Sequence, residues 1–177
     1  EDPKQLGALV RAVEGCREAS KGFSAPFISG KDSMFNQSKD EKGKDLPIPG
    51  TLLISAIAPV PDTTKAITMD FKGPGNALYL IGRTNDELGG SLYHKVLGRT
   101  GGEVPKVTSP AAALDGFKSL HGAINRGLVQ SAHDLSEGGL ALAAAEMGFT
   151  GEFGCLLDLD EMPRDPRIYS HETLLFS

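Results

Sequence analysis

Residues 28–36 read Ile-Ser-Gly-Lys-Asp-Ser-Met-Phe-Asn, so Gly30, Lys31, Asp32 and Ser33 place a glycine, a cation, a carboxylate and a hydroxyl in consecutive positions after a short apolar run. That set suits a bound phosphate and its metal. A glycine lets backbone approach an oxyanion, a lysine neutralises it as a point charge, an aspartate prefers Mg²⁺, and a serine hydroxyl serves either partner. The Walker pattern is absent, because Ala25 stands where its first glycine belongs and Asp32, not Ser or Thr, follows Lys31. The competing reading is a solvated turn, since the same residue types populate turns for conformational reasons.

A second constellation lies at residues 129–140, Val-Gln-Ser-Ala-His-Asp-Leu-Ser-Glu-Gly-Gly-Leu, and follows the same logic of strand, acidic turn, glycines and helix. Backbone N–H groups at a helix N-terminus form an anion site, and Gly138 and Gly139 would let a phosphate reach it. Asp134 beside them would suit a metal bridging to that anion. Alternatively, Asp134 or Ser136 only caps the helix, while Gly138 and Gly139 permit close packing. His133 reads more readily as a satisfied, half-buried histidine than as a catalyst. His171-Glu172 lacks the second histidine of a zinc-protease helix.

The elements that must hold these loops follow from caps and periodicity. Asp2-Pro3 opens a helix over 3–21, with Leu6, Leu9, Val10 and Val13 at helical spacing. A short strand over 26–29 delivers the first loop, 37–49 is polar and loop-like, and 51–58 is a strand apolar enough for burial on both faces. Pro59-Val60-Pro61-Asp62 reads as a stiff connector. Beyond it the pattern predicts strands over 65–71 and 77–81, and a helix over 89–97. Ser109-Pro110 opens another helix, with Leu114, Phe117, Leu120, His121 and Ile124 on one side. Strand 129–133, helix 136–147, strand 153–159 and a helix start at Asp165-Pro166 complete the series. Strands and helices mix without strict alternation, which predicts an α+β layered domain with a mixed sheet over 62–177, preceded by a partial α/β domain over 1–60.

Composition bounds the function. Twenty-two glycines among 177 residues exceed the usual ~7%, and six of them stand in the pairs Gly89-Gly90, Gly101-Gly102 and Gly138-Gly139 at expected element boundaries. A net charge of −5 without a basic tract argues against a nucleic-acid surface. No apolar run approaches the ~18 residues of a membrane span, so a soluble, cytoplasmic protein is expected. Cys16 and Cys155 are too few for a disulfide framework and read as small hydrophobes. A start without methionine and a stop on Leu174-Leu175-Phe176-Ser177 lead us to expect a piece of a longer protein.

Taken together, helix 2–21, Pro-Phe-Ile-Ser-Gly-Lys-Asp-Ser-Met-Phe-Asn, strand 51–58, Ala66–Lys72, Tyr79–Gly82, Asp86–Ser91 and Ala132–Leu140 appear in an order that resembles the phosphoribosylformylglycinamidine synthase family. The resemblance covers essentially the whole chain. It implies an ATP-dependent amidoligase of purine biosynthesis, which phosphorylates the amide oxygen of formylglycinamide ribonucleotide and lets glutamine-derived ammonia displace that phosphate. Family members carry two tandem copies of a unit shared with aminoimidazole ribonucleotide synthetase. Residues 1–60 resemble the end of the second copy's N-terminal domain and 62–177 most of its C-terminal domain. The resemblance assigns Gly30, Ser33, Gly138 and Gly139 to nucleotide or substrate phosphate, and Asp32 and Asp134 to Mg²⁺. Small synthetases of the family carry asparagine at the position of Lys31, which leaves open whether Lys31 or Asp32 takes the ligand's place. No catalytic side chain is expected here. Implied partners are the rest of the synthetase and a glutaminase domain or subunit, and a fragment should be inactive alone. Two alternatives remain: an auxiliary or structural half without turnover, and a sister kinase or synthetase of the same fold.

Overall fold

The computed structural model describes residues 3–33 and 36–177, and Asp2, the expected cap of the first helix, lies outside them. The chain divides into two compact units, Glu1–Pro59 and Val60–Ser177.

In the first unit, helix α1 spans Pro3–Gly22, as the periodicity of its leucines and valines predicts. The stretch read as a polar loop contains a short antiparallel hairpin instead. Strand β1 (Gln37–Lys39) pairs with β2 (Asp45–Pro47) in the register Gln37↔Pro47, Ser38↔Leu46, Lys39↔Asp45. Its turn explains why so polar a sequence pairs at all. One carboxylate oxygen of Asp40 accepts from the N–H groups of Lys42 and Lys44, each at 2.9 Å, and Gly43 supplies the positive φ of +75°. Residues 26–29 and 51–58, expected as strands, form no ladder among the described residues and are exposed. An apolar run marks a segment that would be stable between strands, but a ladder needs a neighbour in register.

The second unit is built around four α-helices and a small core. Helix α2 (Leu92–Val96) is capped by Ser91, whose Oγ accepts from His94 N–H at 3.2 Å. Helix α3 (Pro110–Asn125) begins where Ser109-Pro110 predicts, with Ser109 Oγ accepting from Ala112 N–H. Helix α4 (Gly139–Phe149) starts three residues later than expected, and α5 (His171–Phe176) starts at the Ser170 cap. Asp165-Pro166 therefore opens a turn and not a helix: Ile168 N–H returns to the Asp165 carbonyl at 2.9 Å. Leu140, Met162, Ile168 and Leu174 form the buried cluster, with Leu80, Leu157 and Leu159 packed against it.

The expected strands of this unit form no ladder among the described residues; of two isolated parallel bridges, Thr68↔Ser131 and Thr84↔Arg164, the second lies outside every expected strand. The first joins two predicted strands, 65–71 and 129–133, and is accompanied by a bond from Ala132 N–H to the Thr68 carbonyl at 3.3 Å. It fixes the backbone immediately before His133 and Asp134. The architecture is thus a mixture of helices and sparse β pairing in a chain of mixed α/β class.

Candidate functional site

Gly30 to Ser33 lie exposed in the first unit. The Lys31 ammonium turns back on its own loop, donating to the Asp32 carbonyl and to Ser33 Oγ, the latter at 3.3 Å. Cation and hydroxyl thus meet within one irregular loop, the pair expected for an anion. Nothing lies within 4 Å of where a Gly30 side chain would begin, so the position leaves room above the backbone. Asp32 sits beside this pair as an exposed carboxylate.

The second loop is built differently. Asp134 is exposed, whereas Gly138 and Gly139 are buried at the start of α4. Gly139 N–H closes a turn on the Ser136 carbonyl at 2.9 Å, and no side chain caps the helix. A methyl group on Gly138 would fall 2.3 Å from Leu142, and one on Gly139 would fall 2.7 Å from the Leu175 carbonyl oxygen and the Phe176 backbone. Gly139 also has φ +63°, a region costly for any residue with a side chain. Both glycines therefore admit close packing, with α5 brought directly against the N-terminus of α4.

His133 is satisfied and largely buried, at 17% side-chain exposure. Its Nε2 lies 2.8 Å from Glu146 Oε2 and its Nδ1 3.2 Å from Asp134 Oδ1. Ionised carboxylates only accept, so each ring nitrogen must donate, which requires the protonated imidazole. The electrostatics agree. The hydrogen bond to Glu146 raises the His133 pKa most, burial opposes it, and Asp134 adds to the rise.

Glu146 carries no motif, yet it is the only charged residue in α4, whose sequence is Gly-Leu-Ala-Leu-Ala-Ala-Ala-Glu-Met-Gly-Phe. A lone carboxylate on a helix of small and apolar residues calls for a specific partner, and that signal was available. The pinning of residues 85–87 was not. Ser177 Oγ donates to the Asn85 carbonyl at 2.7 Å and accepts from Glu87 N–H at 3.1 Å, while Thr173 Oγ1 donates to Asp86 Oδ1 at 3.4 Å. Tyr93 and Phe176 stack beside them with ring centroids 4.8 Å apart.

Metal binding can be judged from the donor set. Among the described residues no three His, Cys, Asp or Glu side chains cluster as a metal cage. Asp32 and Asp134 each offer one carboxylate. Mg²⁺ is commonly held by one or two carboxylates together with phosphate oxygens and water, and each aspartate offers one such donor in its own loop.

The family model described as AIR synthase related protein, C-terminal domain, matches residues 73–177. The phosphoribosylformylglycinamidine synthase subunit PurL of Rhodopseudomonas palustris (strain BisB18) is 38% identical over 160 residues, which cover 89% of this chain and 21% of that protein. The subunit of the same name from Lactobacillus helveticus is 33% identical over 177 residues, 99% of this chain and 22% of its own. Its counterpart in Thermococcus sibiricus is 31% identical over 174 residues, 98% and 23% respectively. The chain spans about a fifth of the length of these curated relatives. No solved structure matches it.

Proposed function

The chain belongs to the AIR synthase related protein family, matched through its C-terminal domain over residues 73–177, and from that membership we propose that it is one segment of the ATP-dependent synthetase that makes formylglycinamidine ribonucleotide in purine biosynthesis. The reading is carried by a relative named as that synthase, which aligns over 99% of the chain, a span that takes in both loops. In it, residues 1–60 close the second N-terminal-type domain and 62–177 form most of the second C-terminal-type domain. Gly30 and Ser33 receive nucleotide or substrate phosphate, Lys31 offsets its charge, and Asp32 contributes one oxygen to Mg²⁺. In the separate glycine-rich loop of the second unit, Asp134 would be a metal ligand, and Gly138 and Gly139 would face phosphate.

Such a division of labour suits phosphoryl transfer, which asks mainly for positioning and charge neutralisation and needs no covalent residue from this segment. Mg²⁺, when bound, neutralises charge developing on the transferred phosphoryl group. The chain's own contribution is to hold the anion at Gly30–Ser33 with the Asp32 carboxylate beside it. The acid–base group, the glutamine-derived ammonia and the remaining wall of the site come from the rest of the synthetase and its glutaminase partner in the cytoplasm. The segment alone is inactive.

Replacing Asp32 tests this assignment. In the complete synthetase, Asp32→Ala lowers formylglycinamidine ribonucleotide formation by about 10²- to 10³-fold, the scale of losing one transition-state stabiliser, and raises the Mg²⁺ concentration required. Unchanged turnover and unchanged Mg²⁺ dependence would overturn it. A second reading, in which this half holds a nucleotide without turnover or serves only as structure, draws support from Gly138 and Gly139, whose free space is taken up by Leu142, Leu175 and Phe176. It predicts full activity in the Asp32 variant.

A further inference from the structure

We propose that Glu146 is a positioning residue for Asp134, acting through the His133 ring. Asp134 is 86% exposed at its side chain, and the hydrogen bond from His133 is what can hold it in one orientation. Glu146 is anchored differently. It sits in the interior of α4, whose Ala143, Ala144 and Met147 are buried, so its backbone is fixed by the core. Its Oε2 accepts from His133 Nε2 at 2.8 Å, and on the opposite edge of the same ring Nδ1 meets Asp134 Oδ1 at 3.2 Å. An imidazole is rigid and planar. Fixing one nitrogen therefore sets the direction in which the other points.

The backbone before the ring is held as well, by the Thr68↔Ser131 bridge and the Ala132 to Thr68 hydrogen bond. Position and rotation of the imidazole are thus set by two independent attachments. The result is a continuous line from core helix to loop carboxylate: α4, Glu146, His133, Asp134. Only Oδ1 of Asp134 is engaged by the ring, which leaves Oδ2 to face a ligand in a defined direction. The consequence for metal binding rests on the reading of Asp134 given above, whereas the positioning itself does not.

The test follows the Asp134 carboxyl carbon by NMR in the chain labelled with ¹³C-aspartate. Glu146→Ala should move that resonance to where His133→Ala places it. Glu146→Gln, whose amide oxygen still accepts from Nε2, should leave it near the wild-type position. An unmoved resonance in Glu146→Ala overturns the proposal, and so does a Glu146→Gln variant that shifts as far as Glu146→Ala. Alanine is a strong helix former, so α4 should tolerate the change. Should that variant nevertheless unfold, Glu146→Asp shortens the arm and carries the same expectation. In the complete synthetase, Glu146→Ala should weaken MgATP affinity about 10- to 100-fold, the usual effect of removing a group that orients a metal ligand. If the resonance moves while MgATP affinity does not, positioning stands and the metal-ligand reading of Asp134 fails.

Discussion

At position 139 a hydrogen atom is the largest substituent that the surrounding backbone accepts. Two penalties coincide there, a left-handed φ of +63° and a virtual methyl 2.7 Å from backbone atoms of Leu175 and Phe176. Strain in that region costs roughly 1–2 kcal/mol, and forcing a methyl into packed structure about 1–3 kcal/mol. Gly139→Ala should therefore destabilise the second unit by roughly 2–5 kcal/mol, read as a lower urea midpoint at constant slope. A change below ~0.5 kcal/mol would show that α5 does not press on this site. The glycine pair was legible as chemistry or as packing, and the sequence could not separate the two because a close helix contact and a phosphate contact both demand the absence of a side chain. Gly30 poses the opposite case, with open space around it. Glu146 was legible only in principle: its isolation in an apolar helix announced a partner, but nothing in a linear pattern named His133, thirteen residues upstream.

Among elements, the helices with chemical start signals were the readable ones. Ser109-Pro110 marks the start of α3, and the leucine and valine spacing marks the extent of α1, because caps and periodicity act within a few residues. Strands depend on distant partners, so the apolar runs at 51–58 and 77–81 named candidates without fixing pairing. The β1–β2 hairpin escaped for a related reason: its strands are polar and only its Asp40 turn identifies it. Asp165-Pro166 misled because a capping aspartate serves a turn as well as a helix. Here Asp165 accepts from the Arg167 backbone at 2.9 Å and from its guanidinium at 3.0 and 2.7 Å. The guanidinium bond first, and the backbone bond second, hold the Asp165 carboxyl well below its ordinary value of 3.8. A pKa depressed by folding means stabilisation that is complete above that ordinary value and is lost as pH falls through the depressed one. Wild-type protein should consequently lose melting temperature more steeply below about pH 4 than Asp165→Asn does. Equal acid slopes in the two proteins would rule the contribution out.

For the whole molecule, the resemblance carried by the ordered motifs is borne out by the family match and by relatives named as synthase subunits. What the motifs could not convey is how much apolar surface the first unit leaves uncovered. Ile28, Leu53 and Ile57 are 82%, 87% and 88% exposed, and an apolar segment without a ladder partner is a template for association. The chain should self-associate as its concentration rises, and Leu53→Lys with Ile57→Lys should suppress this. Light scattering that shows wild-type monomer throughout would refute it. The second unit holds a different kind of dependence. Its Asn85–Glu87 segment is secured by Thr173 and Ser177, partners 87 to 92 residues further along the chain. During synthesis at about 5–20 residues per second, that segment waits on the order of 5 to 20 s before its partners exist. The ribosome thus imposes a timetable on this unit: α3 and α4 can coil as they emerge, but Asp86 and its neighbours stay undocked until α5 has been made.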